Sequence, residues 1–158
     1  MNFDEAFVEL MAHEGGYSNH HDDNGGITML GVTAEVARDF GYMGDMRRLP
    51  VSVAKEIYKK RYWDVVRAEE MPAEIRYALF DAAVNSGPKR AIMWLQMAVG
   101  VVADGVLGAK TMGKIAAADP TELKLRMISN RLLFMTNLSD WKSFGAGWSR
   151  RIAAIMKG

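Results

Sequence analysis

The sequence predicts a mainly α-helical protein with one short irregular region, of β-hairpin character, after its first helix. Apolar residues recur at intervals of three and four along most of the 158-residue chain, which is the spacing of one buried helix face. Between Tyr17 and Val32 this periodicity is absent, and glycine, asparagine, aspartate and serine accumulate instead. Hydrophobic residues make up 49% of the chain, enough for a globular protein with its own core.

The first predicted helix carries a carboxylate on its apolar face. Phe3, Phe7 and Leu10 recur at helical spacing, and Glu14 continues their stripe in the last turn before Gly15-Gly16. Apolar neighbours and the negative end of the helix dipole both disfavour an ionised carboxylate, so we expect a raised pKa for Glu14. A raised pKa suits a general acid. The alternative is a structural Glu14 that pairs with a buried arginine.

The remaining elements are predicted from strand, capping and turn signals. Residues 27–32 are expected to form a short, weak pair of strands. Thr33, Ser52 and Asp119 are predicted N-caps, and Pro72 suits a first helical position. The helices are predicted from Thr33 to Phe40, from Ser52 through Tyr62, from Pro72 to Asn85, through Ala91 and Ala98, through Met112 and Ile115, from Asp119 to about Leu138, and from near Trp148.

Gly87-Pro88 is the best candidate for a domain boundary, because it ends one predicted helix immediately before the next. The junction is short, so we expect residues 1–87 and residues 88–158 to pack together rather than to move apart. The chain shows no internal repeat and no low-complexity segment that would suggest another division.

Charge and residue usage exclude several classes of function. The net charge of +1 gives no electrostatic basis for a nucleic-acid partner, and the lack of cysteine excludes thiol catalysis and thiolate metal sites. No transmembrane segment or signal peptide is visible, since Asp4, Glu5 and Glu9 interrupt the N-terminal apolar residues. We therefore expect synthesis in the cytoplasm, and a target outside the membrane would require a separate export route.

The irregular region contains partners for a catalytic acid. If Glu14 donates a proton to a leaving oxygen, Asp23 can activate or position a water molecule, and the Thr28 hydroxyl can orient that water. The alternative for the stretch 22–25 is an Asx-rich turn without chemistry. A metal site is suggested by His13, His20, His21, Asp22 and Asp23. However, His20 and His21 are adjacent and no His-Glu-x-x-His helix is present, so we expect neither a metal nor a cofactor.

Several stretches resemble a known family when they are taken together. The first half contributes Glu14-Gly15-Gly16-Tyr17, Asp22-Asp23-Asn24-Gly25-Gly26-Ile27-Thr28, Gly31-Val32-Thr33, Ile57-Tyr58, Arg61-Tyr62-Trp63-Asp64 and Phe80-Asp81-Ala82-Ala83-Val84-Asn85-Ser86-Gly87. These stretches resemble glycoside hydrolase family 108, the phage and bacterial N-acetylmuramidases. The second half resembles the peptidoglycan-binding segment that accompanies the family. Its marks are Leu95-Gln96, Asp104-Gly105-Val106-Leu107-Gly108 with Thr111, Phe144-Gly145, and Gly147-Trp148 with Arg151.

The resemblance implies a lysozyme-like helical fold and hydrolysis of the β-1,4 bond between N-acetylmuramic acid and N-acetylglucosamine. It implies that Glu14 is the catalytic acid. Phage-type lysozymes of another family use a Glu, Asp and Thr arrangement in the same order. Asp23 lies at the matching distance from Glu14, whereas Thr28 is one residue closer to the aspartate, and Asp22 is an alternative second carboxylate.

The family implies peptidoglycan glycan strands as the partner, and an endolysin would depend on a holin or another export route to reach the wall. Tyr17 can stack on a sugar ring or pack against Phe7. Asn85 can bind a sugar acetamido group or cap its helix. The rival functions are a lytic transglycosylase on the same fold, a non-catalytic peptidoglycan-binding protein and a metal-dependent amidase.

Overall fold

The computed structural model describes residues 1–13, 18–19 and 27–157. The chain divides into two compact units: a first unit of Phe3–Arg61, and a second unit of Met1–Asn2 with Tyr62–Gly158. Helices account for most of the described residues, and a small antiparallel sheet follows the first helix. The predicted fold class, mainly α and lysozyme-like with a short β region, is therefore confirmed.

The described part of the first unit contains three helices and a three-stranded sheet. Short 3-10 and π-helical turns at Met46–Arg48 and Lys59–Trp63 flank the third helix. In chain order the main elements are α1 (Phe3–His13), β1 (Ser18–Asn19), β2 (Ile27–Met29), β3 (Val32–Thr33), α2 (Ala34–Asp39) and α3 (Val51–Tyr58).

Helix α1 buries the apolar face that its sequence spacing predicts. Phe3, Phe7 and Leu10 are buried, and Asp4 in the first turn complements the helix dipole. The Phe7 ring lies edge-on to the ring of Tyr58 in α3, with 5.7 Å between centroids. This ring contact and the 2.8 Å ion pair between Asp4 and Lys55 join α1 to α3 within the first unit.

The predicted strand pair is confirmed as β2 and β3. They pair antiparallel around the two-residue turn Leu30-Gly31, whose φ angles of +52° and +72° are those of a hairpin turn in which both residues are left-handed. The Tyr58 hydroxyl donates a hydrogen bond of 3.0 Å to the Leu30 carbonyl, which supports a non-glycine residue in this conformation. The third strand, β1, has only two residues and shows no pattern that would have predicted it.

Capping explains where α2 and α3 begin. The Thr33 side chain accepts a 3.2 Å hydrogen bond from the backbone N–H of Val36, so the predicted N-cap of α2 is confirmed. The prediction that Ser52 caps α3 is wrong. Pro50 occupies the N-cap position, since its extended backbone lets its carbonyl accept from Val53 and Ala54, and Ser52 already lies inside the helix.

The second unit contains α4 (Ala73–Ser86), α5 (Pro88–Ala98), α6 (Ala109–Ala117), α7 (Pro120–Thr136) and α8 (Trp141–Lys157). Helix α4 is buried on most of its circumference, as expected of a central helix. Helix α4 contacts α5 and α7, α5 contacts α7, and α7 contacts α8. None of the helices within the described ranges is long and apolar enough to cross a bilayer.

Gly87 separates α4 from α5 with a left-handed φ of +87°, and Pro88 opens α5. Both helices lie in the second unit and pack on each other, so the predicted junction lies inside a compact unit rather than between units. The functional division into residues 1–87 and residues 88–158 stays a prediction. At the other end of α4, Pro72 is the N-cap rather than the first helical residue.

The predicted start of the last helix, near Trp148, is wrong: α8 begins seven residues earlier, at Trp141. Gly145 and Gly147 suggest a break, but both are helical here. A Cβ on Gly145 would lie 2.7 Å from two atoms of the Trp141 indole, so this glycine makes room for a ring that lies against its own helix. A packing requirement, and not a turn, explains Gly145.

Candidate active site

The predicted catalytic region follows α1. The helix ends at His13, and Glu14 is the next residue in the chain. Glu14, Tyr17, Asp22 and Asp23 lie outside the described residues, and so do His20 and His21 of the suspected metal cluster, whereas His13 is described. The roles assigned to them therefore stay predictions. Among the described residues, no group of three or more histidines, cysteines or carboxylates is placed to hold a metal ion.

Thr28 lies at the centre of the sheet. Its Cα pairs with that of Ser18 in β1 and with that of Thr33 in β3. The register thus brings residue 18, four positions after Glu14, beside Thr28. The Thr28 side chain is half-buried, and its hydroxyl makes no hydrogen bond to any residue that the structure describes. A hydroxyl in this state can donate to or accept from a water molecule.

The helical spacing of Asn85 predicts a position on the inner face of α4. The residue is instead exposed, near the end of the helix. Its side-chain nitrogen donates a 2.7 Å hydrogen bond to the Asp81 carbonyl one turn earlier. This bond lies inside α4, whose C-cap is Gly87 rather than Asn85, so the amide is held against its own helix. Binding of a sugar acetamido group through the rest of the side chain stays a prediction.

The second unit contains a buried ion cluster that the sequence pattern did not predict. The Asp81 carboxylate in α4 is fully buried; it accepts from Arg131 Nη1 in α7 at 2.6 Å, and from Arg151 Nε and Nη2 in α8 at 2.8 and 2.7 Å. The sequence feature that could have indicated this cluster is a single acid within the apolar run from Phe80 to Ala83. Because both carboxylate oxygens are paired with arginines, Asp81 ties three helices together and is not a candidate proton donor.

A second buried polar group, the amide of Gln96 in α5, organises the loop between α5 and α6. Its nitrogen donates to Asp104 Oδ1, the Val106 carbonyl and the Thr111 hydroxyl at 2.8, 2.9 and 3.3 Å. Its oxygen accepts from the N–H of Gly105 at 2.8 Å. The hydrogen bond from Gln96, with another from the Val106 N–H and the nearby Lys89 charge, lowers the pKa of Asp104. The residues of this loop that resemble a wall-binding segment therefore also maintain the conformation of the loop.

We expect this loop to weaken in acid. A carboxylate whose folded pKa lies below its usual value of 3.8 contributes stability that is complete above that value. The contribution is lost as the pH falls through the lower folded pKa. Melting temperatures from pH 6 to about pH 2 should therefore fall more steeply for wild type than for Asp104→Asn, which cannot titrate. A difference between the two proteins that does not change with pH would contradict the assignment.

Comparison with known proteins places the chain among glycosidases. The model of the family Glycosyl hydrolase 108 matches residues 7–87. Among solved structures, that described as the structure of Brucella abortus SagA is 31% identical with a TM-score of 0.87; the match covers 98% of this chain and 91% of that one. No curated protein matches the chain. The family match runs from Phe7 in α1 to Gly87 after α4, and it includes Glu14, Asp23 and the three strands.

Proposed function

The chain belongs to glycosyl hydrolase family 108, and from this we propose that it hydrolyses the β-1,4 bond between N-acetylmuramic acid and N-acetylglucosamine in bacterial peptidoglycan. The observation that carries the proposal is the family match over residues 7–87, which contains every predicted catalytic residue. The similarity to SagA extends over nearly the whole chain and supports a shared fold for both halves.

In the proposed mechanism, Glu14 protonates the glycosidic oxygen as the bond to the anomeric carbon breaks. Asp23, or alternatively Asp22, takes a proton from the water whose oxygen attacks that carbon, and the Thr28 hydroxyl orients the water. Two observations support this assignment. The buried apolar face of α1 leads directly to Glu14, and the sheet register sets Thr28 beside the segment that follows it.

Substrate binding is assigned to Tyr17, by stacking on a sugar ring, and to Asn85, by hydrogen bonding to an acetamido group. Residues 88–158 bind the wall in this proposal, while residues 1–87 cut it. The protein would act as an endolysin: it is made in the cytoplasm, and a holin or another export route gives it access to the wall. Hydrolysis and transglycosylation both require an acid at Glu14, so the two reactions are separated by their products.

Mass spectrometry of digested peptidoglycan tests the reaction. We expect fragments that end in reducing N-acetylmuramic acid, in equal yield with and without EDTA. Anhydro-muramic acid ends would instead show transglycosylation, in which a hydroxyl of the substrate replaces water. Cleaved peptide stems that disappear with EDTA would show a metal-dependent amidase. Intact wall that still binds the protein would show a non-catalytic binding module.

A further inference from the structure

A groove in the second unit has features that the catalytic proposal does not use. It lies along α5 and α7, has a volume of about 460 Å³, and is open to solvent on one side. This volume falls within the range of about 300–1,000 Å³ that is usual for ligand sites. Its walls are mainly apolar, with one cation and two amides. The lining residues are Arg90, Met93, Trp94, Met97, Asn130, Leu133, Phe134 and Asn137.

The cation in this groove is held in place without a carboxylate partner. The Arg90 guanidinium lies 4.3 Å from the centroid of the Phe134 ring, a cation–π contact that fixes its position. Arg90 makes no ion pair or hydrogen bond with any of the described residues. A guanidinium stacked in this way keeps its N–H donors for a planar anion, and a carboxylate fits them best.

The two amides present acceptors to the same groove. The side-chain nitrogen of Asn130 donates to the Trp94 carbonyl at 3.1 Å, and that of Asn137 donates to the Leu133 carbonyl at 2.9 Å. These bonds orient both carboxamides. Neither side-chain oxygen accepts a hydrogen bond from the part of the chain that the structure describes. Each oxygen can therefore receive an N–H donor such as a peptide amide.

The aromatic residues of the groove do not offer a platform for a sugar. Trp94 is only 4% exposed, and Arg90 covers one face of the Phe134 ring. The exposed apolar surface comes from flexible aliphatic side chains instead, with Leu133 62% and Met97 54% exposed. Such side chains accommodate methyl groups and small apolar side chains of varied shape. The chemistry favours a short peptide with a carboxylate over a bare glycan.

We propose that this groove binds the peptide stem of peptidoglycan, a short peptide with small apolar side chains and free carboxylates. Arg90 pairs with a stem carboxylate, Asn130 and Asn137 accept from stem amides, and Leu133 and Met97 contact the alanine methyl groups. The inference rests on the proposed function, because that function brings the enzyme to glycan strands that carry such peptides. A stem contact would hold the enzyme on the wall independently of the sugar at the catalytic centre.

Titration calorimetry with two soluble probes tests the proposal. One probe is a disaccharide tetrapeptide from peptidoglycan, and the other is the same disaccharide without its peptide. The Glu14→Gln protein is used as the parent, so that no cleavage interferes. We expect Arg90→Gln in this parent to weaken binding of the tetrapeptide probe about tenfold or more, the effect of losing one charge-assisted contact. We expect Leu133→Glu to weaken it further, since it sets a like charge against the stem carboxylate.

The matched control is Lys110→Gln, which removes an exposed cation from α6, outside the groove. It should bind the tetrapeptide probe like the parent, and all variants should melt within about a degree of it, because Arg90 and Leu133 are exposed. Unchanged tetrapeptide affinity in both groove variants would overturn the proposal. Equal losses for both probes would indicate a glycan site and would also overturn it.

The two proposals fail in different experiments. The digestion products of the wild-type enzyme report on the reaction, whereas the titration reports on the groove of a protein that need not be active. Normal muramidase products with no effect of the groove variants would leave the function standing and remove the stem site. A parent that binds neither probe would also remove the stem site, and would leave the groove to a partner of another kind, such as an amphipathic protein helix.

Discussion

Glu14→Gln is expected to lower the rate of peptidoglycan hydrolysis by about a hundredfold or more, which is the scale of general acid catalysis. Glutamine keeps the shape of the side chain but has no proton to give to the leaving oxygen. Release of reducing ends from purified wall measures the effect. The melting temperature should not fall, because the sequence predicts Glu14 at the end of an apolar helix face, where a neutral amide would avoid the cost of a partly buried charge.

Two further measurements separate this role from a structural one. Pull-down with intact wall should be unchanged in Glu14→Gln, since the proton is needed for cleavage and not for binding. If Glu14 instead anchored a buried arginine, the variant would melt several degrees lower and its folded fraction would keep the wild-type rate. In the same assay, Asp22→Asn and Asp23→Asn identify the carboxylate that assists the water. The variant that lacks this carboxylate should lose most of its hydrolysis rate, and the other variant should not.

Asp81→Asn should cause the largest loss of stability, about 3–5 kcal/mol in the free energy of unfolding. The substitution leaves Arg131, itself only 3% exposed, and Arg151 without their shared carboxylate. Both positive charges would then remain close together in a poorly solvated setting. For a domain of this size the loss corresponds to a fall of roughly 6–20 °C in melting temperature, which calorimetry measures directly.

Glu74→Gln is the matched control for Asp81→Asn, since it neutralises an exposed acid on the same helix. It should change the free energy of unfolding by less than about 0.5 kcal/mol. Arg131→Met in the Asp81→Leu background removes the remaining fully buried charge and should recover part of the lost stability. Equal melting temperatures for Asp81→Asn and Glu74→Gln would show that the cluster does not support the packing of α4, α7 and α8.

The sequence by itself determined the features that depend on neighbours a few positions away. The N-caps at Thr33 and Asp119 were predicted correctly, because each side chain binds a backbone N–H three residues on. The apolar face of α1 was equally local, since its residues recur within each turn of the helix. The candidate catalytic residues also came from sequence alone: Glu14 and Asp23 are inferred from a motif and from the expected chemistry of a carboxylate at a helix end.

Only the tertiary structure decided features whose partners are distant in the chain. Asp81 meets its arginines 50 and 70 residues away, so no local pattern could show that this acid is paired. The start of α8 was placed seven residues too late, because Gly145 is explained by the indole of Trp141, a matter of side-chain packing and not of backbone preference. The groove along α5 and α7 likewise exists only once the two helices pack. Capping energies act within one turn, whereas ion pairs and shape complementarity act between elements that the fold must first bring together.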